Sequence, residues 1–300
     1  MLLLTLLMAC APQPAPLMPA PVSPSLPPPS ASPAPTNSPS PAPIASPTPS
    51  PTPAPLRFPL QRPIPGAIVE RSYPYGSTQN GAREAHHGVE FYQPFGTPVL
   101  AAADGKVAFA GDDALTLLAW VTNFYGNVIV LQHQIAGQTL FTLYAHLSKI
   151  EVQAGQQISV GQKIGEVGAS GTAIGSHLHF EVRLGKNDYF STRNPELWLN
   201  PLDGNGTLAG RILDSAGNAL KGQINFQRVE GGVLNPLSVG QAQTYVRERL
   251  NSDDLLGETF ALGDLPAGEY RLSLVANGVV YEKIVLILPG ELAWAEFVVQ

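Results

Sequence analysis

His177-Leu178-His179-Phe180-Glu181-Val182-Arg183-Leu184 alternates polar and apolar residues without a break. A period of two marks an extended strand. His177, His179, Glu181 and Arg183 then share one face, while Leu178, Phe180, Val182 and Leu184 share the other. On either side of this strand the pattern recurs as short runs of β-branched and aromatic residues separated by glycine turns. Thr97–Ala103 and Lys106–Ala110 flank Asp104-Gly105, a hairpin signal. Gly126–Gln132 and Gln138–Ala145 make a second strand pair, and Val160–Gly168 precedes the histidine strand. Asn194–Leu199 closes the region as an anchor with a buriable Trp198. Residues 57–203 therefore read as an all-β domain.

Downstream, residues 204–300 form a smaller β-rich unit. Gly210–Leu220 reads as strand, turn and strand, and Leu262–Leu274 as a turn feeding an alternating strand. Such spacing suggests a β-sandwich. It carries no cluster of histidines, cysteines or paired carboxylates, so it reads as a non-catalytic binding or packing module.

Upstream, residues 11–56 consist chiefly of Pro, Ala, Ser and Thr, and no charged side chain occurs before Arg57. So few large apolar groups cannot offset ordering entropy, and a disordered, extended linker is expected. At about 3.1 Å per residue it would reach on the order of 100 Å. Residues 1–10 are an apolar run too short to span a bilayer but suited to a signal peptide. Leu7-Met8-Ala9-Cys10 resembles the lipobox of bacterial lipoproteins, although a basic n-region is missing. The expectation is export to the cell envelope with a lipid anchor at Cys10 and no transmembrane span in the mature chain; the alternative is a plain signal peptide with a chance cysteine. A single cysteine excludes an intrachain disulfide and a cysteine-built zinc site. The remainder is mildly acidic with no basic block, which gives no support for nucleic-acid binding.

A lone histidine on a strand is usually structural. Two imidazoles side by side with a same-face carboxylate, as in His177-x-His179-x-Glu181, suit a metal or proton-transfer site. In His86-His87-Gly88-Val89-Glu90 an extended chain puts His86 and Glu90 on one face, with Gly88 leaving room for a ligand or a metal; read alone, the motif is equally a solvated polar edge. Phe141–His146 alternates too, placing Thr142, Tyr144 and His146 together. Two histidines and a carboxylate make a zinc set that leaves a fourth position for water, and further histidines can carry protons or stabilise an oxyanion.

His86-x-Gly88-x-Glu90, Gly96-Thr-Pro-Val99, Ala103-Asp-Gly105, Tyr144-Ala-His-Leu147, Gly161-Gln-x-Ile-Gly165 and His177-Leu-His-Phe-Glu181 resemble the LytM/lysostaphin zinc endopeptidases (the duplicated hybrid motif) over about residues 57–201. The resemblance implies a barrel-like β-sandwich with a groove over one sheet. It implies zinc held by His86, Glu90 and His179, with His146 and His177 as the catalytic pair. Peptide bonds of peptidoglycan are the implied substrate. Where the family usually has Asp, this chain has Glu90, a competent ligand with one more methylene. A second reading, resting on that substitution, is an inactive module that binds the wall or regulates another hydrolase. A third, a lipoyl- or biotinyl-type carrier, lacks the flanking sequence at Lys106 and Lys163. His133 is expected to be structural and His87 a non-ligand pointing away from His86. Glu181 either fixes a histidine tautomer or lies at the surface. Gly165-x-x-Gly168-x-x-Gly171 is not a dinucleotide fingerprint and reads as turns. The C-terminal unit resembles carboxypeptidase-regulatory or transthyretin-like sandwiches, from Gly210-x-Ile-Leu-Asp214-x-x-Gly217 and Leu265–Arg271.

Overall fold

The computed structural model describes residues 58–246 and 250–300; the leader with Cys10 and the proline-rich linker lie outside them. Among the described residues the regular structure is β-strand, with single-turn 3-10 helices at Tyr189–Ser191, Pro195–Leu197 and Pro236–Ser238. None of their helices is long and apolar enough to cross a membrane.

The first half contains β1 (Val89–Tyr92), β2 (Pro98–Leu100), β3 (Gly105–Asp112), β4 (Asn127–Ile135), β5 (Gln138–Ala145), β6 (Leu147–Ile150), β7 (Gln157–Ile158), β8 (Lys163–Val167), β9 (His177–Leu184) and β10 (Thr192–Arg193). Seven of them form one sheet in the order β1-β9-β5-β4-β3-β7, with β10 also on β9; β2-β8-β6 form a second. β4 and β5 are the hairpin the sequence suggested, closing at Ile135 and Gln138. Its turn uses Ala136 and Gly137 at φ 49° and 80°, as a two-residue hairpin turn requires.

Asp104-Gly105 is not a hairpin turn. β2 pairs with β8, whereas β3 pairs with β4 and β7, so the chain crosses between sheets there. Gly105 serves a close approach instead. A Cβ on it would stand 2.5 Å from the Gln132 carbonyl and 2.6 Å from the His133 ring.

The apolar face of β9 enters the main core, where Leu178, Phe180 and Val182 are fully buried beside Val89, Phe91 and Tyr144. Trp198 joins the same core, and Leu60 bridges to Leu199 beside it. The opposite face packs Leu143 and Ala145 with Tyr125 and Tyr189. Each face therefore has its own apolar support, which holds the polar row of β9 fixed.

The second half adds β11 (Asn205–Asp214), β12 (Gln223–Glu230), β13 (Val233–Leu234), β14 (Gly240–Gln243), β15 (Phe260–Pro266), β16 (Gly268–Ala276), β17 (Val279–Ile287) and β18 (Leu292–Val299). They form a three-stranded sheet, β15-β11-β18, and a five-stranded one, β13-β12-β16-β17 with β14 on β12. Alternation buries Tyr270, Leu272 and Leu274 between them. Ala209, Ala261 and Leu292 pack into the first core.

Candidate metal centre

The ladder between β1 and β9 sets Glu90 directly opposite His179 and Tyr92 opposite His177. His86 lies just upstream of β1. Its backbone is tied by Gly76 N donating to His86 O (2.8 Å) and His86 N donating to Ser77 O (2.9 Å). Gly88 clears the space between: a Cβ there would meet His179 Cε1 at 2.8 Å and the Phe180 carbonyl at 2.5 Å. The glycine thus makes room for the His179 ring itself.

Three ligand atoms converge. His86 Nε2 lies 2.9 Å from Glu90 Oε1, and His179 Nδ1 lies 3.2 Å from Glu90 Oε1 and 3.2 Å from His86 Nε2. Zinc–nitrogen and zinc–oxygen bonds of about 2.0–2.2 Å, set tetrahedrally, place ligand atoms roughly 3.3 Å apart. The observed triangle fits that edge. All three residues are buried. Glu90 Oε2 lies 2.8 Å from His177 Nε2 without the alignment of a hydrogen bond. The extra methylene of Glu90 therefore does not break the triangle; its second oxygen reaches His177.

Charge balance points the same way. Burial opposes a charge on Glu90, but the His179 ring and the contacts to His177, His179 and His86 hold its carboxyl well below the usual range. Burial likewise opposes a charge on His179, yet Glu90 and Glu181 raise it to about 9. The site attracts positive charge, supplied by a proton on His179 or by a cation at the triangle.

Glu181 is wholly buried, not at the surface. Its Oε1 lies 3.0 Å from His179 Nε2 and accepts from the Tyr125 hydroxyl. Arg183 Nε donates to Glu181 Oε2 at 2.8 Å. Burial raises a carboxyl, but Arg183 and His179 lower this one to about 2. A carboxylate on the outer nitrogen of a metal-binding histidine fixes its tautomer and raises its basicity.

His146 follows β5 with φ 63°, a left-handed conformation that costs a non-glycine residue about 1–3 kcal/mol. His146 N donates to Tyr125 O (3.0 Å), and Nδ1 donates to Ser170 O (2.9 Å). The twist reverses the alternation: Thr142 and Tyr144 bond each other on the Phe180 side, while His146 stands 4.9 Å from His177 and 5.7 Å from His179, ring to ring. The expectation that His146 shares a face with Thr142 and Tyr144 is thus corrected by its backbone. Burial, with His179 and His177 nearby, lowers His146 to about 3, leaving Nε2 a bare acceptor. His177 Nδ1 donates to Gly175 O at 3.1 Å.

The other two histidines stand apart. His133 bridges Asp104 O (2.7 Å) and Thr142 Oγ1 (2.8 Å). His87 bonds Thr192 Oγ1 at 2.8 Å and packs on Tyr189; burial lowers it to about 4. Sequence reading missed Tyr73, stacked on His86 at 4.1 Å and 14°, and Tyr125; neither stands in a period or spacing that marks it.

Residues 84–191 match Peptidase family M23. The chain is 41% identical over 97 residues to peptidoglycan DD-endopeptidase ShyA of Vibrio cholerae, covering 32% of this chain and 20% of that protein. It is 37% identical over 103 residues to cell division protein DipM of Caulobacter vibrioides, covering 34% and 15%. The chain thus spans a fifth or less of these relatives' length. Among solved structures, the catalytic domain of the antimicrobial peptidase lysostaphin from Staphylococcus simulans is 32% identical, covering 43% of this chain and 89% of that one, with a TM-score of 0.35.

Proposed function

We propose that the M23 peptidase domain at residues 84–191 is a zinc-dependent endopeptidase that hydrolyses peptide bonds of bacterial peptidoglycan. The ligand triangle of His86, Glu90 and His179, with edges of 2.9–3.2 Å, carries this reading. These three residues would hold the zinc, which when bound acidifies water and polarises a carbonyl. His146 Nε2, bare because Nδ1 is spent on Ser170 O, takes the proton of the attacking water. His177 is oriented by Gly175 O, which aims its Nε2 at the place where the oxyanion forms. Glu90 Oε1 at the third corner of the triangle supports the active reading over an inactive module that binds the wall.

The test separates metal from chemistry. The purified protein should contain about one zinc per chain and digest peptidoglycan. His86→Ala and His179→Ala should lose both properties. His146→Ala should keep the metal and lose turnover by about 10²–10⁴-fold. A metal-free protein, or full turnover in His146→Ala, contradicts the reading.

Export and lipidation at Cys10 belong to the same proposal and are supported by Leu7-Met8-Ala9-Cys10. Cys10→Ser should move the protein from the membrane fraction to the soluble one; no change in fractionation would remove the anchor. The transthyretin-like character of residues 204–300 is supported by their two facing sheets.

A further inference from the structure

We propose that the C-terminal sandwich positions the metal ligand His86 by clamping residues 73–77 from behind, an inference that rests on the metal reading above. His86 lies outside the sheets, and what holds it is that segment. Gly76 and Ser77 bond its backbone, and Tyr73 stacks on its ring. The Tyr73 hydroxyl is itself fixed by donating to Glu84 O at 2.8 Å.

The other side of the segment meets Tyr245 of the C-terminal half. Tyr75 packs edge-on to Tyr245 with ring centroids 5.1 Å apart at 89°. Gly76, at φ 79°, lies so close that a Cβ on it would stand 2.2 Å from Tyr245 Cβ. Tyr245 cannot yield easily. Its hydroxyl donates to Glu258 Oε1 at 2.7 Å, and its backbone N donates to Thr259 O at 2.8 Å. Arg71 latches the start of the segment by donating to Glu196 Oε2 (2.6 Å) and to the Gly263 carbonyl. Both tyrosines are buried, Tyr75 at 3% and Tyr245 at 4% exposure.

A ligand on irregular backbone is preorganised only as well as the groups that hold it, and loss of such supports weakens metal affinity by about 10–100-fold. Removing the Tyr245 ring keeps its Cβ against Gly76 but takes away the edge contact on Tyr75 and the ring carbon beside Gly76, which frees the segment to shift and carry His86 away from Glu90 and His179.

Zinc affinity of the full chain, measured by competition with a chromogenic chelator, tests this. Tyr245→Ala should bind zinc about 10-fold or more weakly. Tyr245→Phe keeps the ring contact and should stay near the parent value. Leu274→Ala, in the sandwich core, should lower the melting temperature and leave zinc affinity unchanged. If Tyr245→Ala does not fold, Tyr75→Leu removes the same edge contact and should weaken zinc alike. Parent-like affinity in Tyr245→Ala or Tyr75→Leu, or an equal loss in Leu274→Ala, overturns the clamp while leaving the metal reading intact. A parent that binds no zinc overturns both.

Discussion

His179 Nε2 lies 3.0 Å from Glu181 Oε1, on the ring edge away from Glu90. Glu181 in turn is tied to Arg183, and neither side chain is exposed. One carboxylate therefore orients a ligand and neutralises a buried guanidinium at once.

Replacing it separates the two duties. Glu181→Gln keeps the shape but removes the charge, and zinc affinity should fall about 10–100-fold. Glu181→Ala also leaves Arg183 buried without its partner, which should cost about 3–5 kcal/mol in urea unfolding. Parent-like zinc affinity in Glu181→Gln would show that the contact does not tune the metal.

Glu90→Asp tests the substitution that distinguishes this chain. The ladder holds Glu90 against His179, so the backbone cannot easily advance to compensate for a shorter side chain. The carboxylate retracts by about 1 Å and loses its reach to His177 Nε2, now 2.8 Å away. Turnover on peptidoglycan should drop on the order of 10²-fold. A gain of activity from an inert parent would instead favour the wall-binding module.

Much of this site was legible because β-structure writes itself in a period of two. The face of His177, His179, Glu181 and Arg183 follows from spacing alone, whereas His86 lies ahead of β1 and meets Glu90 through ties to Gly76 and Ser77. His146 did not, because its positive φ reverses a side chain without leaving a mark in the residue pattern. Asp104-Gly105 misled because glycine serves turns and close approaches equally well, and here it admits His133. Tyr73 and Tyr245 were invisible, since contacts between distant segments have no local signature.

The buried carboxyl of Glu258 makes stability depend on pH. Burial pushes it up to about 7 despite the bonds from Tyr245 and Asp253. The unfolded chain releases this proton near pH 4.5, the folded chain only near 7. Between those values the folded state binds more protons, so the contribution is full below pH 4.5 and is lost as pH rises through 7. The shift corresponds to about 3 kcal/mol. Melts at pH 5 and pH 8 should show a steeper loss in the parent than in Glu258→Gln; parallel curves would contradict this.

Gly88→Ala should disable the centre without touching a ligand. The new methyl would meet a backbone oxygen, Phe180 O at 2.5 Å, as well as His179 Cε1 and Nε2 at 2.8 and 2.9 Å. A flexible side chain could swing aside, but the carbonyl belongs to β9, whose residues pair with both β1 and β5. Relief must come from parting β1 from β9 or from rotating the His179 ring. Either movement breaks a triangle whose edges are only 2.9–3.2 Å. Zinc affinity should therefore fall at least about 10-fold, with a lower melting temperature. Gly105→Ala provides the comparison, since it crowds His133, which lies outside the ligand set. It should destabilise the fold to a similar degree and leave the zinc affinity of the folded fraction unchanged. Equal zinc loss in both variants would mean that metal binding follows global stability rather than the space at residue 88.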